Sequence, residues 1–296
     1  MKTNKIMHNS ISHIAESDFL FKSSNGKSVC FAQYGDLAGS PLVYFHGWPS
    51  SRLEAKKYDP IAKKLGIRII APDRPGYGRS DFVPGSSFLD WAKITTELAS
   101  ALSIRKFSIV GNSGGGPYAV LCAYYIPHKI HKLGITVGLA PTNIDGVLEG
   151  MALWNKIIWR SYHYVPPLLF LSPLIHYLKQ TLFPRDVSEA YPAKKDNDYF
   201  TYELKQAYIE NRREAYRQGI WGASHDLKLY TSAWNIDFKK IHSKVFLWYG
   251  ALDKNVSIAM GEFYRDHIPS SKLIVFPKCG HMVLLKHTEE IFQTLK

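Results

Sequence analysis

The residue with the clearest chemical signature in this sequence is a serine inside a glycine-rich turn. Residues 111–115 read GNSGG, directly after the β-branched run at 107–110 and before a helix-like segment from about 117 to 125. A sharp turn from strand to helix requires small residues around its centre, because a Cβ two positions before or after would clash. The alternative, a phosphate-binding loop, lacks the lysine and the spacing of a P-loop. The pattern therefore favours Ser113 as a nucleophile.

A serine hydroxyl needs a base to accept its proton, and His281 is the best candidate among the twelve histidines. It lies in a loop that follows the apolar run at 273–276 and precedes the last helix-like segment. Asp253 follows the run at 245–249, where it could orient the imidazole or instead cap the start of a helix. Asp145, which follows an earlier strand-like run, is the reserve candidate for the acid. We predict a catalytic triad of the serine, the histidine and Asp253.

Acyl-transfer chemistry also requires donors for the oxyanion of the tetrahedral intermediate. The sequence HGWP at 46–49 follows an apolar run, and the N–H of Trp48 is one candidate donor. The second candidate is the N–H of Gly114 in the serine turn. The Trp48 side chain could also line the substrate pocket. The alternative is that 46–49 is only a strand-ending turn, and for the His46 side chain we expect a role in bracing this loop.

The order of the predicted elements indicates the fold that positions these residues. Strand-like runs alternate with helix-like segments, which is typical of an α/β fold with a mostly parallel central sheet and helices on both faces. The predicted strands are 29–34, 41–45, 67–71, 107–110, 133–139, 245–249 and 273–276, and the predicted helices include 51–65, 87–102 and 117–125. The alternation stops between 141 and 236, which predicts a core of 1–140 and 237–296 with an inserted helical cap.

The predicted cap is rich in aromatic residues, with sixteen in residues 141–236. Most of them are expected to pack the cap onto the core. The apolar run at 168–171 is flanked by prolines, which we expect to keep it from lengthening into a regular helix. Leu169 and Phe170 of this run, with Trp48, are the candidate residues for the wall of the substrate pocket, since binding pockets are mostly apolar.

Composition excludes several other classes of protein. The net charge of +12 comes from scattered basic doublets, without a basic helix or a zinc spacing, so we predict no nucleic-acid partner. Weak peripheral contact with anionic membrane surfaces stays open. The three cysteines are far apart, which predicts no metal site and favours a reducing compartment, the cytoplasm. The first nineteen residues lack the apolar region of a secretory signal, and no apolar stretch is long enough to span a membrane.

Five segments together resemble a known family: HGWPSSR, DRPGYGRSD, GNSGGG, YGALD and CGHM. This set is similar to the cap-bearing branch of the α/β-hydrolase superfamily, which includes esterases, epoxide hydrolases and dehalogenases. The resemblance covers about two thirds of the chain, and the order serine, aspartate, histidine is the one this superfamily uses. Family members that open epoxides or cleave carbon–halogen bonds carry aspartate where this chain has Ser113. The turn also differs from that of a proline iminopeptidase.

The predicted triad and the resemblance imply a serine hydrolase that cleaves an ester-like bond without a cofactor. The motifs do not indicate the substrate, and it is the apolar run of the predicted cap that favours a small, largely apolar molecule. Two alternatives stay open. The same residues could hydrolyse an amide, a lactone or a carbon–carbon bond, or the chain could be a ligand-binding or signalling protein with slow turnover on this fold. The sequence does not indicate an oligomeric state.

Overall fold

A computed structural model describes residues 11–15, 17–183 and 201–296 of the chain, and these ranges contain a nine-stranded sheet. Its strands are β1 (Ile11–Ala15), β2 (Asp18–Lys22), β3 (Ser28–Gly35), β4 (Ser40–Phe45), β5 (Ile67–Pro72), β6 (Phe107–Asn112), β7 (Ile130–Thr136), β8 (Lys244–Gly250) and β9 (Ser271–Phe276). They lie in the order β1-β2-β3-β5-β4-β6-β7-β8-β9. The first three pairs in this order, β1–β2, β2–β3 and β3–β5, are antiparallel. The remaining five pairs, from β5–β4 to β8–β9, are parallel.

Helices cover both faces of this sheet, as the sequence predicts. The α-helices of the described ranges are α1 (Asp59–Leu65), α2 (Phe88–Ala101), α3 (Gly116–Tyr125), α4 (Leu153–Tyr164), α5 (Leu168–Leu182), α6 (Tyr202–Ala215), α7 (Trp221–Thr231), α8 (Ile258–His267), α9 (Val283–Lys286) and α10 (Thr288–Leu295). One buried cluster packs α2, α3 and α8 against the sheet, and a second cluster packs α1, α9 and α10. The predicted α/β fold with a mostly parallel sheet is confirmed.

Two predicted elements differ from those in the structure. The helix expected at 51–65 is divided into a 3-10 helix over Arg52–Tyr58 and then α1, because Pro60 in the first turn of α1 cannot donate a helical hydrogen bond. The strand expected at 133–139 is β7, which begins and ends three residues earlier. Val137 has a φ of +43°, so the chain leaves the sheet directly after β7.

Between β7 and β8 the chain forms an insertion, residues 137–243, whose described helices are α4 to α7. The expectation about the run at 168–171 is wrong, because these residues begin the regular helix α5. Pro166 and Pro167 precede that helix, where an N–H is not needed, and α5 continues through Pro173. Residues 184–200 of the predicted cap, and the first ten residues, lie outside the described ranges. In those ranges, each helix is too short or too polar to cross a bilayer.

Candidate active site

The serine turn connects β6 to α3 with the tight geometry that the glycine pattern predicts. Ser113 has a φ of +51°, a conformation that residues with a side chain seldom adopt. A Cβ on Gly115 would lie 2.1 Å from the carbonyl oxygen of Phe45, and one on Gly111 would lie 2.5 Å from the Gly115 carbonyl oxygen. The turn therefore depends on glycine at both positions, and it holds the serine at the carboxyl end of β6.

Three of the predicted site residues form a hydrogen-bonded chain. The Nε2 atom of His281 lies 3.0 Å from Ser113 Oγ, and its Nδ1 atom lies 2.6 Å from Asp253 Oδ2. The carboxylate of Asp253 is buried, and its other oxygen accepts the backbone N–H groups of Asn255 at 2.8 Å and Val256 at 3.1 Å. These bonds fix the carboxylate, so that one oxygen faces the imidazole.

The reserve acid is not part of this chain of contacts. Asp145 lies in the loop after β7, and its side chain is exposed to solvent. The histidine nitrogen that faces away from Ser113 is already bonded to Asp253. The structure therefore brings Asp253, rather than Asp145, to the histidine.

The two predicted oxyanion donors lie in loops that touch each other. The backbone nitrogen of Trp48 lies 3.1 Å from the position that a Cβ on Gly114 would occupy. A Cβ on Gly47 would lie 3.7 Å from the Cβ of Ser113. The loop after β4 therefore packs directly over the serine turn, and the indole Nε1–H of Trp48 donates to the carbonyl of Ala223 in the insertion at 2.9 Å.

A carboxylate that the sequence analysis missed lies beneath this loop. Glu54 accepts hydrogen bonds from the Gly47 N–H at 2.7 Å, Ser50 Oγ at 2.6 Å, Asn112 Nδ2 at 2.6 Å and the Tyr44 hydroxyl at 3.1 Å. Four donors saturate its two oxygens. Glu54 therefore fastens the loop after β4 to the residue that precedes the serine.

The His46 side chain braces the same loop from its buried side. Its ring is fully buried against Tyr77, with Nδ1 2.9 Å from the Gly47 carbonyl oxygen and Nε2 accepting the Arg74 backbone N–H at 3.3 Å. Burial, reinforced by the positive charge of Arg74, lowers the pKa of His46 well below its ordinary value. The ring is therefore a neutral structural group, which agrees with the bracing role we expected.

Two buried arginines of the core meet carboxylates of the insertion. Arg74 bonds Asp226 of α7, and both side chains are almost fully buried. Arg52 bonds Glu214 of α6 at 2.6 Å and Asp73 at 2.7 Å. Sequence reasoning did not identify either pair, because the partners are more than 150 residues apart and their types are common on solvated helices.

A cavity of about 490 Å³ opens at the hydrogen-bonded chain. Ser113, His281, Gly114 and Trp48 line it from the core. The insertion contributes a mixed wall of apolar and polar side chains, which includes Ile158, Trp159, Tyr162, Ser172, His176, Leu204, Tyr208 and Leu227. The predicted place of Trp48 in the pocket wall agrees with this lining.

Leu169 and Phe170 are not among the residues that line this cavity, contrary to the sequence prediction. Because the run is helical, its successive side chains point to different sides of α5. Ser172 and His176, one turn apart, face the cavity, whereas Phe170 is 51 % exposed and packs near Trp221. Leu169 instead packs against the main hydrophobic cluster.

The chain matches a known family over most of its length. The sequence profile described as the alpha/beta hydrolase family matches residues 42–294. A 2-hydroxy-6-oxo-6-phenylhexa-2,4-dienoate hydrolase from Burkholderia cepacia is 28 % identical in an alignment of 290 positions that covers 94 % of this chain and 94 % of that protein. A proline iminopeptidase from Lactobacillus helveticus is 26 % identical over 276 residues, covering 86 % of this chain and 88 % of that protein.

Solved structures show the same fold. An esterase from Exiguobacterium antarcticum superimposes with a TM-score of 0.68 at 21 % identity, over 93 % of this chain and 97 % of that chain. At this identity the likeness concerns the fold alone. The relatives are named for different hydrolytic reactions. They therefore support the assignment as a hydrolase but do not indicate one substrate.

Proposed function

We propose that this chain, which belongs to the alpha/beta hydrolase family, is a serine hydrolase that cleaves an ester-like bond of a small, largely apolar substrate. The observation that carries the proposal is the chain of hydrogen bonds from Ser113 through His281 to Asp253, which opens on a cavity. A serine, an imidazole and a buried carboxylate in this order are the parts that nucleophilic acyl transfer requires.

In the first half of the proposed reaction, Ser113 Oγ attacks the substrate carbonyl while His281 Nε2 takes the hydroxyl proton. Asp253 holds the proton of the imidazole on Nδ1 and stabilises the charged ring. The backbone N–H groups of Trp48 and Gly114 stabilise the negative oxygen of the tetrahedral intermediate. The histidine then gives its proton to the leaving alcohol, and an acyl-enzyme forms on the serine.

In the second half, the imidazole takes a proton from water, and the resulting hydroxide attacks the acyl-enzyme. Collapse of the second tetrahedral intermediate returns the proton to Ser113 Oγ and releases the acid. The proposed steps use no metal and no organic cofactor.

The cavity supports a small-molecule substrate with a substantial apolar part. Its volume lies within the range of small-ligand pockets. Ile158, Trp159 and Leu227 give the insertion's wall an apolar part. Polar and charged side chains also line this wall: Asn155, Ser172, His176, Glu210, Asn211 and Arg212. We propose that the insertion acts as a cap that selects the substrate, and a cytoplasmic location stays a prediction.

A second candidate is hydrolysis of a carbon–carbon bond, with amide and lactone hydrolysis as further variants of the same chemistry. The relative from Burkholderia cepacia, which matches nearly the whole chain, is named for a phenyl-substituted oxodienoate. Such a molecule combines an apolar ring, a ketone and a carboxylate. A ligand-binding protein with slow turnover is the remaining alternative.

A substrate panel distinguishes these candidates. Wild-type protein and Ser113→Ala are compared on p-nitrophenyl esters of graded acyl length, on the matching anilides and on a phenyl-substituted oxodienoate. The proposal predicts the highest kcat/KM on an uncharged ester and loss of that activity in Ser113→Ala. A higher kcat/KM on the oxodienoate would favour the second candidate, and no turnover of any compound would favour the binding protein.

A further inference from the structure

The buried carboxylate of Asp226 in α7 lies at the centre of a network between the insertion and the core. Its Oδ2 atom accepts from Arg74 Nη2 at 2.6 Å, Arg74 Nε at 3.1 Å and the Tyr77 hydroxyl at 2.8 Å, and its Oδ1 atom accepts the Tyr118 hydroxyl at 2.5 Å. The Tyr230 hydroxyl lies 3.0 Å from Oδ2. Every one of these side chains is buried, and hydrogen bonds within a buried polar network are stronger than they are in water.

Arg74 connects Asp226 to the loop after β4. Its Nη2 atom donates to the carbonyl oxygen of Gly47 at 3.0 Å, and its Nη1 atom donates to the carbonyl oxygen of His46. The carbonyl of Gly47 and the N–H of Trp48 belong to the same planar peptide unit and point in opposite directions. By holding that carbonyl, Arg74 therefore fixes the direction in which the Trp48 N–H points.

Tyr230 makes the corresponding contact with the serine turn. Its hydroxyl lies 2.7 Å from the carbonyl oxygen of Gly114, and its single proton is shared between this oxygen and Asp226. Burial, followed by the charge of Asp226, raises the pKa of Tyr230 well above its ordinary value, so the hydroxyl stays a donor. This contact holds the peptide unit that follows Gly114, whereas the unit that contains the Gly114 N–H is held through the carbonyl of Ser113, which accepts the Leu139 N–H at 3.2 Å. Tyr230 therefore fixes the backbone on one side of Gly114 from the insertion.

We propose that Asp226 is a positioning residue, which orients the Trp48 N–H through Arg74 and restrains the backbone next to the Gly114 N–H through Tyr230. This inference rests on the proposed function, because it assigns a task to contacts around the Trp48 and Gly114 amides. The insertion then has a second task besides forming part of the cavity wall. One of its carboxylates helps to set the geometry of the backbone amides that stabilise the transition state.

A pair of tyrosine variants provides the test. Tyr230→Phe and Tyr118→Phe each remove one buried hydroxyl that contacts Asp226, but only the first also loses a contact with the serine turn. We expect Tyr230→Phe to lower kcat about tenfold with KM nearly unchanged, less than the hundredfold or more seen when an oxyanion donor itself is removed. Tyr118→Phe should keep kcat within about twofold.

The affinity for an oxyanion mimic separates orientation from general loosening. A trifluoromethyl ketone, which forms a tetrahedral adduct, should bind Tyr230→Phe and Asp226→Asn more weakly, in proportion to their loss of kcat/KM. Glu214→Gln, which changes the other buried contact between insertion and core, should bind the ketone as wild type does. The pH profile of kcat/KM should stay unchanged in Tyr230→Phe, because the imidazole and Asp253 are not altered.

Two outcomes would overturn the inference. One is an equal loss of kcat in the two tyrosine variants, and the other is a loss in Tyr230→Phe that appears only in KM and leaves ketone affinity unchanged. If Asp226→Asn fails to fold, the tyrosine pair still decides. Failure of the proposed function would look different, since wild type would then not bind the ketone at all.

A second inference rests on the outer surface of α4 and α5. In the described ranges, thirteen of the twenty-one exposed large hydrophobic residues lie between 153 and 183: Leu153, Trp154, Ile157, Ile158, Tyr164, Val165, Phe170, Leu171, Leu174, Ile175, Leu178, Leu182 and Phe183. Apolar patches of this extent on soluble proteins mark interaction sites. Ile158 both belongs to this surface and lines the cavity, so the surface adjoins the site.

The charge around this surface indicates its partner. The described residues 150–183 contain three basic residues, Lys156, Arg160 and Lys179, and no acidic residue, although acidic and basic residues nearly balance in the insertion as a whole. Lys156 pairs with Glu149, which precedes this range, at 2.8 Å. Apolar helices with tryptophan, tyrosine and basic side chains bind the interface of anionic bilayers. We infer that the outer surface of α4 and α5 docks on an anionic lipid surface.

Vesicle binding tests this second inference. The full chain should sediment with vesicles of phosphatidylglycerol and phosphatidylcholine, bind vesicles of phosphatidylcholine alone less, and detach at high salt. Trp154→Ser and Leu171→Ser should weaken binding, whereas Leu37→Ser, an equally exposed leucine elsewhere, should not. Absence of vesicle binding, or a dimer in solution that Trp154→Ser and Leu171→Ser dissociate, would overturn it.

Discussion

The core and the insertion face the same cavity but contribute to it in different ways. The core contributes a chain of side chains joined by hydrogen bonds of about 3 Å or less, with His281 between Ser113 and Asp253. The insertion's wall is formed by side chains such as Ile158 and Trp159, which are defined by packing rather than by hydrogen bonds. Some residues of the insertion also reach back into the core through hydrogen bonds, among them Asp226, Tyr230 and the wall residue Asn211.

The difference indicates which property each region controls. Under the proposed function, the hydrogen-bonded chain determines whether any substrate reacts, and its members act as a unit. A packed wall determines which substrate fits, and single changes there alter preference by smaller factors. Variants of the hydrogen-bonded chain should therefore lower activity on every substrate, whereas variants of the insertion's wall should change substrate preference by smaller factors.

The largest effect is expected at the core. Asp253→Asn should lower kcat by about a thousand- to ten-thousand-fold on every substrate, because the imidazole loses both its orientation and its charge support. The matched control is Asp145→Asn, which alters an exposed aspartate in the loop after β7 and should stay within about twofold. Steady-state kinetics on one good ester checks both, and a reversal of the two effects would place the acid on the earlier loop.

The next effect concerns the junction of the two regions. Arg52→Met should lower the free energy of unfolding by about 3–5 kcal/mol, because Asp18, Asp73 and Glu214 then remain buried beside one another without a cation. Glu214→Gln should cost about 1–2 kcal/mol, since Arg52 keeps two carboxylates. Urea unfolding followed by circular dichroism measures both, and equal losses would mean that the cluster is not held by its charges.

A smaller effect is expected from the insertion's wall. Trp159→Ala should change the ratio of kcat/KM between long-chain and short-chain esters by about tenfold, because it enlarges the apolar side of the cavity. Leu169→Ala and Phe170→Ala should change that ratio less, since neither residue lines the cavity. Equal effects on all chain lengths would show that the wall does not select the substrate.

The smallest effect is a pH dependence of stability. His46 has a lowered pKa in the folded chain, so below about pH 6.5 the unfolded chain binds a proton that the folded chain does not. Stability should therefore fall as the pH decreases from 7 to 5.5, by at most about 1.4 kcal/mol per pH unit from this group. His46→Asn should have a shallower slope in unfolding experiments, and identical slopes would contradict a buried neutral His46.

The sequence predicts those residues of the proposed site that lie directly after a strand. Ser113, Asp253 and His281 each come shortly after an apolar run, and the parallel sheet brings these strand ends to one edge. Trp48 was found by the same reasoning.

The contacts that depend on long-range packing could not be predicted. Asp226 and Tyr230 lie on a helix, where aspartate and tyrosine are ordinary residues, and their meeting with Arg74 depends on how the insertion packs. The prediction for Leu169 and Phe170 is wrong because the flanking prolines do not prevent a regular helix, which begins directly after Pro167. The sequence does not indicate the role of Glu54, because its four donors come from two distant segments, residues 44–50 and Asn112.

The central claim, an acyl-enzyme on Ser113, is tested most directly by mass spectrometry of protein quenched during turnover of an activated ester. The account predicts a product burst close to one equivalent and a mass increase equal to the acyl group on the peptide that contains Ser113. Ser113→Ala should show neither signal. Turnover with the acyl group on a carboxylate such as Asp81, or turnover by Ser113→Ala within tenfold of wild type, would contradict the account.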